Sequence, residues 1–154
     1  MPKISRKAST TLSFILAILF LLVLVLAAIF IPFLAAKNIG EGQVLPVLPL
    51  NGRVFALVAG YLGIAIAFFA DITLMLLLHS VRRERIFTPY CVALLRRLSW
   101  CCMGEALVFL AIGALFTLAL FIAFIALLVG LCLRVVKNAF ELALSLKEEN
   151  DLTV

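Results

Sequence analysis

Three ionisable side chains lie inside long apolar stretches of this sequence. Asp71 and Glu105 are carboxylates, and Arg134 carries a guanidinium group. A carboxylate held away from water can take up a proton or a small cation, and a neighbouring arginine can balance its charge. The first chemistry to consider is therefore proton or cation handling in an apolar environment.

The spacing of these residues predicts that they lie at a similar depth. Residues at equal depth in a helical hairpin have a constant index sum, which matches Asp71 with Glu105 around residue 88. The same rule matches Glu105 with Arg134 around residues 119–120. The simpler interpretation is a polar clamp between helices, or snorkelling towards a nearby interface. The alternative is a proton or cation site.

The residue sets of common catalytic sites are missing from the sequence. The only histidine, His79, lies at the end of a different predicted helix from Ser99, Cys101 and Cys102, which leaves those groups without a positioned base. No metal-binding helix motif and no phosphate-binding glycine loop occurs. We therefore predict that the chain is not an enzyme and binds no cofactor. No metal site or disulfide is expected from the four cysteines, Cys91, Cys101, Cys102 and Cys132.

Composition defines the environment of the three charges. Of the 154 residues, 66% are hydrophobic and 14% are charged, whereas soluble globular domains have about 45–50% apolar and about 25% charged residues. Apolar runs longer than about 18 residues are typical of transmembrane helices. We therefore predict an integral membrane protein with a single all-α domain.

Four apolar segments are predicted to be transmembrane helices. They cover residues 12–36, 54–78, 98–115 and 118–136, and a polar tail follows over residues 137–154. A cleaved signal peptide is the alternative for the first segment, although its apolar part exceeds the usual length of about 7–15 residues. Glycines, prolines and asparagines in residues 37–52 argue against a helix there, and that segment is expected on the membrane surface.

The apolar block over residues 98–136 is predicted to form two helices. As one helix it would be about 58 Å long, nearly twice the hydrocarbon core of about 30 Å. A tight turn near residues 113–117 would divide it. Apolar residues recur at three- and four-residue steps in the tail, so the fourth helix is expected to continue beyond the membrane as an amphipathic extension.

Small residues four positions apart characterise the second predicted span. Ala56, Gly60, Gly63 and Ala67 would allow the backbones of two helices to approach closely. Packing inside the bundle is the simpler interpretation of this pattern. Contact with a second copy of the chain, which would make a homo-oligomer, is the alternative.

Basic residues predict the orientation of the chain. With the N-terminus inside, eleven Lys and Arg residues fall on the cytoplasmic side and only Lys37 and Arg53 fall outside. The positive-inside rule then predicts a multi-pass protein of the inner cell membrane with both termini cytoplasmic. This bias accounts for the net charge of +5. The lipid bilayer is therefore an expected partner, and direct binding of nucleic acid is not expected.

Residues 80–100 concentrate arginine between the second and third predicted spans. Together with the acidic tail, they would lie on the cytoplasmic face, where they could form a docking surface. Attraction of the arginines to anionic lipid, as a topology anchor only, is the alternative. The candidate docking residues are Arg82, Arg83, Arg85, Phe87, Arg96, Arg97, Trp100, Glu148, Glu149, Asn150 and Asp151.

Two stretches of the sequence carry a resemblance to a known family. The first comprises Ile86-Phe87-Thr88, Val92 and Leu95-Arg96-Arg97-Leu98-Ser99-Trp100, and the second is the terminal EENDLTV of residues 148–154. They resemble the "PF(T/V)-x-ENV-x-x-LRRIGW" segment and the usual terminus of the domain-of-unknown-function family numbered 2975. That family consists of small prokaryotic membrane proteins. The chain departs from the pattern where Tyr90-Cys91 replaces the family's Glu-Asn pair.

This resemblance implies four transmembrane helices over essentially the whole chain, with no established activity. Members of the family are often encoded beside a small helix-turn-helix regulator of the Xre/Cro type, which implies a cytoplasmic regulator as a partner. We therefore predict a non-enzymatic regulatory or sensing protein. The alternative is a small transporter or channel subunit that uses Asp71, Glu105 and Arg134.

Overall fold

Four helices and one short β-hairpin make up the fold in the described part of the chain. The computed structural model describes residues 6–38, 43–45, 48–83, 88–113 and 116–152, and the side chains of residues 11–33, 52, 54–83, 88–113, 116–147 and 149. The elements in chain order are α1 (Arg6–Asn38), β1 (Gln43–Leu45), β2 (Leu48–Asn51), α2 (Gly52–Arg82), α3 (Pro89–Ile112) and α4 (Thr117–Leu152). The predicted all-α class with four helices is confirmed.

Three of these helices are long and apolar enough to cross a membrane: α1 over Thr11–Phe33, α2 over Val54–Arg82 and α4 over Thr117–Lys147. α3 is not among them, because Arg96, Arg97 and Glu105 lie within its 24 residues. Its apolar part after Arg97 is about 22 Å long at ~1.5 Å per residue. The chain therefore has the helices of a membrane protein, while the predicted crossing by α3 stays a prediction.

α3 begins earlier than the predicted third span. The Thr88 side chain caps the helix by accepting a hydrogen bond of 3.4 Å from the Cys91 backbone N–H. Pro89 occupies the first turn, where a missing N–H costs nothing. Arg96 and Arg97, predicted to lie in a connection, are therefore helical residues. At the other end, the turn predicted near residues 113–117 does separate α3 from α4.

Helices that follow each other in the chain pack against each other: α1 on α2, α2 on α3, and α3 on α4. α3 has the most buried side chains of the four helices in the described part of the chain. Its buried residues are Cys91, Val92, Leu94, Leu95, Leu98, Ser99, Cys101, Ala106 and Val108. By contrast, among the described side chains of α1 only Ala17 and Leu24 are buried.

Glycines of α2 pack inside the bundle, as the simpler interpretation of the small-residue pattern predicts. A Cβ atom added to Gly60 would lie 3.0 Å from Cδ1 of Ile31 on α1. A Cβ atom added to Gly63 would lie 3.4 Å from Val108 on α3. The two glycines therefore allow α2 to approach both of its neighbours closely.

The segment between α1 and α2 contains an antiparallel strand pair that the sequence did not predict. Gln43 pairs with Asn51, and Leu45 pairs with Leu48. The absence of helix within residues 43–51 agrees with the prediction. The prolines and repeated apolar residues there show no alternating pattern, so strand pairing left no signal in the sequence.

Candidate functional site

Asp71 lies on α2 and faces α1. It is only 2% exposed, and neither of its carboxylate oxygens has a hydrogen-bond partner. The residue lines a groove of about 570 Å³ together with Ala17 and Phe20 of α1 and Leu74 of its own helix. An unpaired carboxylate in such a place is energetically costly, which makes it a candidate for function.

Glu105 lies on α3 and faces a different space. It lines an almost wholly apolar cavity of about 570 Å³ to which all four helices contribute. Its Oε2 atom is 3.4 Å from the position of a Cβ atom added to Gly63, so the carboxylate lies directly against α2. Its Oε1 atom is buried without a hydrogen-bond partner. This cavity is a second place where a proton or a small cation could be held.

Arg134 on α4 does not pair with either carboxylate. Its guanidinium carbon lies 5.0 Å from the centre of the Trp100 ring on α3, a cation–π contact. Within the described part of the chain, no ion pair or hydrogen bond joins Asp71, Glu105 and Arg134. The index-sum rule addresses depth alone, and the three side chains point to different neighbours. The predicted cluster is therefore not formed as one group.

A polar group that does form lies between α3 and α4. The side chains of both helices line an open pocket of about 260 Å³, here called the α3/α4 basic pocket. Its lining residues are Arg96, Ser99, Trp100, Arg134, Lys137 and Asn138.

Three polar contacts lie at the walls of this pocket, and two of them join α3 to α4. The buried Ser99 hydroxyl donates to the Gly130 carbonyl oxygen at 2.9 Å. Further along α4, the Glu141 carboxylate accepts hydrogen bonds from the Arg96 side chain at 2.9 Å and from the Lys137 side chain at 2.8 Å. α3 and α4 are therefore held in one register at their charged end.

The predicted docking residues are divided among several places. Arg82 ends α2, and the exposed Arg83 follows in a turn where its backbone N–H donates to His79. Arg96, Arg97 and Trp100 line a groove of about 520 Å³ against α2. Arg96 and Trp100 also line the α3/α4 basic pocket. Glu149 is exposed on α4. Arg85 and Phe87, and the side chains of Glu148, Asn150 and Asp151, lie outside the described residues.

Sequence reasoning missed the part that α4 plays in this pocket. The sequence predicts an amphipathic extension over residues 137–154 and assigns neither Lys137 nor Glu141 to a site. The index-sum rule that matched Glu105 with Arg134 also brings Arg96 near Glu141, so a signal for the pair was present. Ser99 and Asn138 carried no comparable signal.

The thiols and carboxylates offer no metal centre in the part of the chain that is described. None of the four cysteines forms a disulfide; Cys91 and Cys101 are buried and Cys132 is exposed. No group of three or more His, Cys, Asp or Glu side chains there could hold a metal ion. The described residues offer instead the buried, unpaired carboxylate of Asp71, one unpaired oxygen of Glu105, and one pocket rich in cations.

Comparison with known proteins gives one result. The family model described as "Protein of unknown function (DUF2975)" matches residues 47–154, which contain β2 and helices α2 to α4. The match is narrower than the whole-chain resemblance expected from the sequence, since α1 lies outside it. Comparison with curated proteins and with solved structures found no significant match.

Proposed function

Because the chain belongs to the DUF2975 family, whose function is unknown, we propose a function from its own surfaces. The chain is a non-enzymatic regulatory or sensing protein of the inner cell membrane. It crosses the membrane four times, keeps both termini in the cytoplasm and docks a cytoplasmic helix-turn-helix regulator.

A crossing by α3 is supported by the way it packs. Gly63 of α2 lies against Val108, and Ile66 lies against Gly104, so α3 runs antiparallel to α2. Ser99 meets Gly130 and Arg96 meets Glu141, so α4 runs antiparallel to α3. Enclosure by both neighbours lowers the apolar content that α3 needs, since its charged residues do not all face lipid.

The observation that carries the proposed docking function is the exposed apolar edge at the end of α4. Leu142 is 63% exposed and Leu146 is 56% exposed, one helical turn apart. They follow Glu141, whose bond to Arg96 joins this part of α4 to α3. A positioned helix with an uncovered apolar edge is suited to receive a helix of a partner.

Co-purification in mild detergent with the neighbouring Xre/Cro-type regulator tests this function. We expect the full chain to retain the regulator, and the double variant Leu142→Ala/Leu146→Ala to lose it. Leu118→Ala is the matched control, because Leu118 is 72% exposed at the opposite end of the same helix. Failure of the unaltered chain to retain the regulator would contradict the proposal. Equal retention by the double variant would show that Leu142 and Leu146 are not the docking surface.

The buried carboxylates favour a second candidate function, a small transporter or channel subunit. Asp71 and Glu105 both carry unpaired oxygens inside apolar surroundings, as expected for groups that exchange a proton or cation. Arg134, held over Trp100, would have no direct part. This function predicts oligomers and a proton-dependent flux in liposomes that Asp71→Asn or Glu105→Gln abolishes without loss of folding. The absence of both oligomers and flux would contradict a transporter or channel function.

A further inference from the structure

The α3/α4 basic pocket has an excess of positive charge. Arg96, Arg134 and Lys137 contribute three cations to its lining, and Glu141 is the carboxylate that contacts two of them. Arg134 makes no ion pair among the described side chains and lies over Trp100 instead. Two positive charges therefore remain unbalanced around one small cavity.

The size of this cavity limits its occupant. At about 30 Å³ for each liquid water molecule, 260 Å³ corresponds to roughly eight waters. That space accepts a phosphate group and part of its substituent, but not the side of a partner helix. Guanidinium groups match phosphate oxygens in geometry, and the lysine ammonium adds a point charge.

The position of the pocket favours a lipid as the source of the phosphate. Arg134 lies about 26 Å along α4 from Thr117 at ~1.5 Å per residue, close to the thickness of the hydrocarbon core at ~30 Å. Trp100, which is 60% exposed at the same level, is typical of a membrane–water interface. The pocket thus lies near the height of lipid headgroups.

From these observations we propose that the α3/α4 basic pocket binds the phosphate of an anionic phospholipid. Arg134 and Lys137 contact the phosphate, and the exposed face of Trp100 packs against the glycerol and upper acyl region. Basic pockets between membrane helices bind anionic headgroups in this way. The proposal does not rest on regulator binding, because the pocket lies before Leu142 and Leu146 on α4.

Native mass spectrometry of the full chain in detergent tests this site. We expect one phosphatidylglycerol to be retained in preference to phosphatidylcholine, with the double variant Arg134→Gln/Lys137→Gln at least about tenfold weaker. Arg82→Gln/Arg83→Gln is the matched control, since it removes the same charge from the end of α2, outside the pocket. Arg134→Lys, which keeps the charge and loses the planar fork, should bind at an intermediate level.

Three outcomes would overturn the assignment. The first is equal binding of the two lipids, and the second is an equal loss in the Arg82/Arg83 control, which would indicate general attraction by a basic edge. The third is binding of inorganic phosphate alone with no preference for phosphatidylglycerol, which would assign the pocket to a free phosphate. Circular dichroism on each variant identifies misfolding, and if the double variant misfolds, Lys137→Gln alone must weaken lipid binding.

Discussion

The helix pair α1–α2 and the helix pair α3–α4 each contain an acidic side chain, Asp71 and Glu141, and these two are held in opposite ways. Asp71 in the first pair is buried and its oxygens have no hydrogen-bond partner. Glu141 in the second pair is accessible to water and bridges Arg96 and Lys137. The costly carboxylate is thus the unpaired one, and the paired carboxylate lies where pairing adds little stability.

The two pairs also differ in how closely their backbones approach. Gly130 of α4 lies against α3 so tightly that an added Cβ atom would be 3.2 Å from Cβ of Cys102. At the α1–α2 contact, Gly60 faces the end of the flexible Ile31 side chain, and a groove of about 570 Å³ lies along the interface. The two contacts therefore differ in what a new side chain would meet, which is Cβ of Cys102 at Gly130 and the movable end of Ile31 at Gly60.

The largest expected effect comes from Asp71→Leu. This change removes an unpaired carboxylate from apolar surroundings with space beside it. We expect stability to rise by up to about 3 kcal/mol, the difference between aspartate and leucine inside a membrane. Thermal unfolding in detergent measures it, with Asp71→Asn as the control that keeps a polar group and changes stability less. A loss of stability would mean that Asp71 has a partner in the membrane and would favour the cation-site function.

The next effect in size comes from Gly130→Leu. The new side chain would overlap with Cys102 and Met103 of α3, whose atoms close to the backbone cannot move aside. We expect the free energy of unfolding to fall by about 1–3 kcal/mol, as it does when a core is overpacked. Thermal unfolding in detergent measures this loss. Gly60→Ala is the control, because the Ile31 side chain can rotate away. Equal losses in both variants would remove the contrast between the two helix pairs.

Parts of this architecture could be predicted from the sequence because length and apolar content determine them. Four helices and the turn between α3 and α4 follow from apolar runs that are too long for a single crossing. The start of α3 could not be predicted in this way. Arginines next to an apolar run are typical of a loop, and the sequence does not show that neighbouring helices pack against this segment. Arg134 shows the corresponding limit for the site. An index sum addresses its depth, but rotation about the helix turns it towards Trp100.

A smaller effect is expected from Ser99→Ala. The Ser99 hydroxyl is buried and donates to the Gly130 carbonyl oxygen at 2.9 Å. Its removal should cost about 0.5–1.5 kcal/mol, the usual net contribution of one hydrogen bond. Thermal unfolding in detergent measures it, with Ser145→Ala as the control because the exposed Ser145 hydroxyl bonds within its own helix. A loss no greater than that of the control would mean that packing alone holds α3 against α4.

The smallest effect on stability is expected from Glu141→Gln. The bonds from Arg96 and Lys137 to this carboxylate are exposed to water, so the loss should be the least of the four and should disappear near 1 M salt, where the screening length is about 3 Å. Phosphatidylglycerol binding should strengthen in this variant, because the carboxylate no longer competes with the phosphate for the same cations.

Glu149→Gln is the matched control for this change, since it removes the same charge from the same helix outside the pocket. If Glu141→Gln destabilised the chain more than Ser99→Ala, the exposed pair would be a structural element and the contrast with Asp71 would fail. If lipid binding changed equally in both variants, the cause would be the change in net charge and not the position of Glu141. A gain specific to Glu141→Gln would tie the paired carboxylate to ligand binding, leaving Asp71 and Glu105 as the acidic residues whose buried, unpaired oxygens still call for a role.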